Sequence, residues 1–274
     1  MVKKQDNLYQ TLFLGECSRI FYCDTFVNLI KISHMSFFKN IRKKIKSTFF
    51  FNIIQNFFFK PQRSYSENFG EDLFVKNYFE NKVKGFYVDV GCNQPKINSL
   101  TYFLHKKGWT GLNLDISGRC IQLYDYFRKK DINLNVSIGS NEKYVQSFIF
   151  YDNCTMNTVN DSFKEFTKKS INKAPEIKKI IQKTMDKILF ENQVEQIDYL
   201  NIDVEGNELN VLKGFNIKRF CPQLVSIEIH DKDCPPTNND IYKFFKKNGY
   251  NLVSIYGWTY FFEYKRNNKI HFDL

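Results

Sequence analysis

Phe86-Tyr87-Val88-Asp89-Val90-Gly91-Cys92-Asn93 is a short apolar run that stops at a carboxylate and a glycine. Ile197-Asp198-Tyr199-Leu200-Asn201-Ile202-Asp203-Val204-Glu205-Gly206 has the same design further along the chain. Runs of this length and character read as strands buried on both faces. A strand that ends at a glycine and turns into a helix is how open α/β sheets gather backbone N–H groups and carboxylates around a ligand. Two such ends predict one crevice.

The flanking pattern alternates strands and helices. Helices are expected from Glu71 to near Gly85, from Asn98 or Ser99 to Gly108, and over 119–130, 161–170, 185–191 and 241–247, with another from Gly206 to Gly214. Strands are expected at 112–116, 132–138, 145–151, 177–184, 200–204 and 223–230, with a closing pair over 251–264. Asn98 and Ser99 read as helix N-caps, and 132–138 as one strand ended by Gly139. The order predicts a doubly wound, mostly parallel sheet with a closing antiparallel strand.

The chain has 274 residues, 43% of them hydrophobic and 17% aromatic, enough for one large α/β domain and an extension. Pro61 divides a basic, Phe-rich extension (1–60) from the domain (61–274). The formal charge of +11 is uneven: residues 1–60 carry ten Lys/Arg against three Asp/Glu, and the rest carry thirty against twenty-six. The basic excess lies outside the motif-bearing region, which argues against a nucleic-acid substrate. Lys39, Arg42, Lys43, Lys44 and Lys46 precede the run Phe49–Phe59. This reads either as an arm packed on its own domain or as an amphipathic segment, over 31–60, that meets anionic lipid. Seven scattered cysteines without a Cys-x-x-Cys pair suggest free thiols in a reducing compartment and no structural metal. The chain lacks both an apolar stretch of about 18 residues and a cleavable leader pattern, so a cytoplasmic protein is expected.

Asp89-x-Gly91-x-Asn93-x-Pro95 stands where S-adenosylmethionine enzymes carry an acidic-Gly-x-Gly-x-Gly turn. Asn tolerates the left-handed geometry that Gly supplies; Pro does not. A dinucleotide site would want Gly-x-Gly-x-x-Gly, and only one of those glycines is present. Asp115 follows Gly91 by 24 residues, after a helix and a strand, where a carboxylate can accept both ribose hydroxyls.

Together with Ser66, Gly70-Glu71-Asp72, Ser99-Leu100-Thr101-Tyr102, Gly108-Trp109-Thr110-Gly111-Leu112-Asn113-Leu114-Asp115, Asn207-Glu208 and Leu212-Lys213-Gly214, these motifs resemble the FkbM family of methyltransferases over roughly 64–265. Pro95 fits the Gly-x-x-x-Pro form of one branch. The resemblance implies a class I, Rossmann-like methyltransferase fold, S-adenosylmethionine as donor and O-methylation of a sugar, glycan or similar small acceptor. By position it implies that Gly91, Cys92 and Asn93 line the donor, with Asp89 supporting the turn. Asp115 and Ile116 would meet the ribose, Ser137 and Ile138 the adenine, and Asp203 the transferred methyl, with Glu205 and Gly206 continuing that wall. Asp203 and Glu205 also suit the capping of the next helix.

An alcohol acceptor must lose its proton, and His230, at a strand end beside Glu228, is the leading base, with Asp203 its rival. Asp203, Glu228, His230 and Asp231 could instead hold a divalent ion such as Mg2+. Two other readings compete: an RNA methyltransferase, for which no Lys-Asp-Lys-Glu pattern is present, and a non-catalytic methyltransferase-like binding module.

Overall fold

The computed structural model describes residues 49–265 except 62, 67, 68, 153 and 232–235. The basic run at 39–46 lies outside the described residues. Helix α1 (Phe49–Phe58) precedes α2 (Glu71–Tyr78), β1 (Phe86–Val90), α3 (Tyr102–Lys106), β2 (Thr110–Asp115), α4 (Gly118–Phe127) and β3 (Ile132–Asn135). Then come β4 (Ser137–Ile138), β5 (Lys143–Ile149), α5 (Asp161–Ile171), β6 (Glu176–Lys183), α6 (Met185–Glu191) and β7 (Tyr199–Ile202). The chain continues through α7 (Glu208–Lys213), α8 (Ile217–Phe220), β8 (Leu224–Glu228), α9 (Asp240–Lys247), β9 (Tyr250–Tyr256) and β10 (Thr259–Tyr264).

Seven strands form one sheet in the order β3-β2-β1-β7-β8-β10-β9. The pairs from β3 to β8 are parallel, and β10 runs antiparallel to both neighbours. Both faces are buried, as the apolar runs require. On β1 and β7, Val88, Val90, Leu200 and Ile202 face a core shared with Met185, Leu212 and Phe245. Tyr87 and Tyr199 face the opposite side, against Val75, Phe79 and Trp109. Strand order reverses between β1 and β7, the place where open sheets leave a crevice at their carboxyl ends.

The expected strand over 132–138 is two strands. Val136 donates its N–H to Asp115 O, at the end of β2. Beyond that point β2 offers no further partner. Ser137 and Ile138 therefore leave the large sheet and pair with Gln182 and Lys183 of a small one, ordered β4-β6-β5.

The expected caps at Asn98 and Ser99 also differ. The helix begins after Thr101, without a side-chain cap. Ser99 and Thr101 serve a buried cation instead: Arg128 Nη2 donates to Ser99 Oγ at 2.7 Å and Nη1 to Thr101 Oγ1 at 2.8 Å.

Helix α1 precedes Pro61 and packs against the domain. Asn52 and Asn56 are buried, and Asn56 Nδ2 donates to Gln94 Oε1 at 3.1 Å. Among the described residues, no helix is long and apolar enough to cross a membrane.

Candidate active site

The turn after β1 needs Gly91. Its φ is +81°, and a Cβ there would collide with the carbonyl oxygen of Asp203. The main chain binds the three strand ends into one rim: Gly91 N–H donates to Leu114 O at 2.8 Å and Asp203 N–H to Val90 O at 2.9 Å. Asn93 adopts φ 49°, the left-handed geometry open to Asn. Its N–H donates to Asp115 Oδ2 at 2.8 Å, while Ser117 N–H donates to Asp115 Oδ1 at 2.7 Å.

A cleft of about 480 Å3, counting space open to solvent, opens at this rim. Gly91, Asn93, Asp115, Ile116, Ser137, Ile138 and Asp203 all line it. Asp89 and Cys92 lie behind its wall. Asp89 accepts from Asn201 Nδ2 at 2.9 Å and from the Thr101 hydroxyl at 2.8 Å. Cys92 packs against Ile121 and Tyr124.

Burial pushes the Asp115 carboxyl up to about 6, against the two N–H donors that favour its charge. Burial likewise raises Asp89, against Asn201, Arg128 and Thr101. Arg128 is fully buried and also donates from Nε to Pro95 O at 2.8 Å. Pro95, which cannot act as the third glycine of the turn, is held by this guanidinium.

Cys154, Thr155, Asn157 and Val159 form the opposite wall. Their loop is knotted by Asn157, which accepts from Phe150 N–H at 2.9 Å and donates to Tyr151 O at 2.8 Å. No periodicity or motif marks this loop in the sequence. Thr155 Oγ1 is buried there without a hydrogen-bond partner among the described residues.

Two residues past Asp203, Glu205 has φ 55°, uncommon for a residue other than Gly, Asn or Asp. Thr158 Oγ1 donates to Glu205 O at 2.8 Å and Asn160 Nδ2 to Gly206 O at 2.7 Å, so the loop after β5 fixes this turn. The N-cap position of α7 goes to Asn207. Glu208 accepts the N–H groups of Val204 at 3.1 Å and Gly206 at 3.2 Å. Capping therefore does not account for Asp203 or Glu205.

One carboxylate oxygen each from Glu205 and Glu228 and one His230 nitrogen lie within 4.8 Å of one another. His230 Nε2 stands 3.0 Å from Glu228 Oε2. Its ring lies near those of Phe163 and Trp258, at centroid distances of 5.8 and 5.7 Å.

A family model for the methyltransferase FkbM domain matches residues 89–252, more than half of the chain. The chain belongs to the FkbM methyltransferase family. The match begins at Asp89 in the first strand end, spans Asp115, Asp203 and His230, and stops within β9. The cleft and the Glu205–Glu228–His230 cluster thus lie within the FkbM methyltransferase domain, and α1 lies outside it. No curated protein matches this chain.

Proposed function

We propose that this FkbM methyltransferase transfers a methyl group from S-adenosylmethionine to a hydroxyl of a sugar, glycan or similar small acceptor, on a class I, Rossmann-like fold. The observation that carries the reading is the convergence of Gly91, Asp115 and Asp203 on one cleft at the carboxyl ends of β1, β2 and β7. The residues present suit such a donor. Asp115 presents a buried carboxylate to ribose hydroxyls, Ser137 and Ile138 offer a site for a flat base, and the orphaned Thr155 hydroxyl supplies a polar contact. When bound, the donor supplies an electrophilic methyl on a sulfonium centre.

The chain's own groups position the acceptor and take its proton. An ionised Glu228 only accepts, so Nε2–H of His230 donates to it and orients the imidazole as the base. Phe163 and Trp258 beside His230 offer apolar ring faces for the C–H face of a sugar ring. Alignment against the donor supplies much of the remaining rate.

Screening a sugar and glycan panel with labelled donor tests this reading. Transfer to at least one hydroxylated acceptor is expected, and donor binding with no transfer to any panel member would leave the non-catalytic reading ahead. His230→Ala should lower kcat by about 10²–10⁴ while leaving donor affinity unchanged. The Glu205–Glu228–His230 cluster also supports a second reading, in which a divalent ion sits among two carboxylates and an imidazole. Activity that survives EDTA supports the base; activity lost to EDTA and restored by added metal supports the ion.

Asp115→Ala should abolish donor binding in calorimetry without unfolding the protein. Donor affinity of the parent should also fall as pH drops through about 6, because protonation removes the ribose acceptor. The sign for stability is opposite. A carboxyl raised from 3.8 to about 6 stabilises the fold below its unfolded value and loses that contribution as pH rises through 6. The charged carboxylate therefore weakens the fold at neutral pH. A flat donor affinity between pH 5 and 7.5 would remove the ribose assignment.

A further inference from the structure

Helix α1 is inside out. Its polar residues Asn52 and Asn56 are 1% and 0% exposed against the domain, whereas Phe50 and Phe57 are 72% and 64% exposed. Scattered single apolar residues on a surface need no explanation, but aromatic residues gathered on one face of one helix do. The inward face is fastened, since Asn56 holds Gln94 in the donor turn, so the helix cannot roll to bury its phenylalanines without losing that contact.

Cations stand at both ends of the helix. The Arg119 guanidinium lies 5.0 Å from the Phe49 ring at one end. Lys60 follows the helix at the other and, with Lys106, places positive charge beside Lys96. Burial first, then these two neighbours, lowers the Lys96 pKa. The sequence immediately before α1 adds Lys39, Arg42, Lys43, Lys44 and Lys46.

From this we propose that α1 seats the enzyme on an anionic lipid surface, with Phe50 and Phe57 entering the acyl boundary and the surrounding lysines and arginines meeting headgroup charge. A second copy of the chain fits the patch less well, because it would bring like charges together, on a chain of net charge +11. Phosphate esters on the membrane supply the complementary charge.

Co-sedimentation of the full chain with vesicles tests the assignment. Binding to phosphatidylglycerol-containing vesicles should exceed binding to phosphatidylcholine vesicles at least about tenfold at low salt, and should weaken as salt rises. The double variant Phe50→Ser/Phe57→Ser should bind the anionic vesicles at least about tenfold more weakly while keeping the parent's melting temperature. Lys60→Glu/Lys96→Glu should erase the lipid preference by charge alone. No binding to anionic vesicles, or a serine variant that binds like the parent, would overturn the proposal. So would a concentration-dependent dimer in sedimentation velocity that the serine variant dissolves.

Discussion

Gly91→Ala should both destabilise the protein and weaken donor binding. At φ +81° a side chain pays the left-handed penalty of about 1–2 kcal/mol. The new Cβ also meets the carbonyl oxygen of Asp203, which is main chain and cannot swing aside as a flexible side chain would. Overpacking of this kind costs about 1–3 kcal/mol, so a total loss of about 2–5 kcal/mol is expected. The relief available is to push the ends of β1 and β7 apart, which misplaces Asn93, Asp115 and Asp203 together. A displacement of about 1 Å in such a site can cost 10²-fold, and donor affinity should fall at least that far. Urea denaturation reads the first effect and calorimetry with S-adenosylmethionine the second. Asn93→Gly is the control: it relaxes a left-handed residue and keeps the N–H that Asp115 accepts, so it should change stability by less than about 1 kcal/mol. A Gly91→Ala protein with the parent's midpoint would show that the two strand ends are not locked together.

Arg128→Met should be the most destabilising change away from the cleft. The guanidinium is fully buried, donates to Pro95 O, Ser99 Oγ and Thr101 Oγ1, and adds a contact to Tyr87 Oη at 3.2 Å. It also provides the positive charge near Asp89 and Asp131. Burial pushes Asp131 up, but His105, Tyr87 and Arg128 together hold it below the usual carboxylate range. Removing one member of a buried charge network costs about 3–5 kcal/mol because the other charges stay behind. Set against a typical total of about 5–15 kcal/mol, this would unfold a measurable fraction near physiological temperature. Arg128→Lys should rescue little, since a point charge cannot reproduce a planar fork that serves acceptors on several sides. Thermal unfolding monitored by circular dichroism checks both variants. A methionine variant melting within a few degrees of the parent would mean the network is not energetically coupled.

Legibility in the sequence followed the range of the interaction. Gly91 and Asp203 were readable because a strand that stops at a glycine or carboxylate announces itself within ten residues. Asp115 was readable because a βαβ unit has a nearly fixed length. Met185–Glu191 was placed correctly by its local pattern. The break between Asn135 and Ser137 was not readable, because it depends on where a neighbouring strand ends and on a partner, Gln182, far along the chain. Arg128 was missed for the same reason. Two helices and a strand separate it from Pro95 along the chain, and nothing local marks an arginine as buried. Thr155 and its neighbours form an irregular loop without a repeating signal, so only the folded chain shows them facing the cleft. Asn98 and Ser99 carried a helix-start signal, yet the helix begins after Thr101, and Ser99 serves a buried cation instead.

The split of the third strand has a mechanical side. Gly91, Asp115 and Asp203 ride on the large sheet, while Ser137 and Ile138 belong to the small one. The cleft is therefore a seam, and whatever occupies it acts as a rivet between two plates. Part of any binding energy gained there becomes rigidity shared by both.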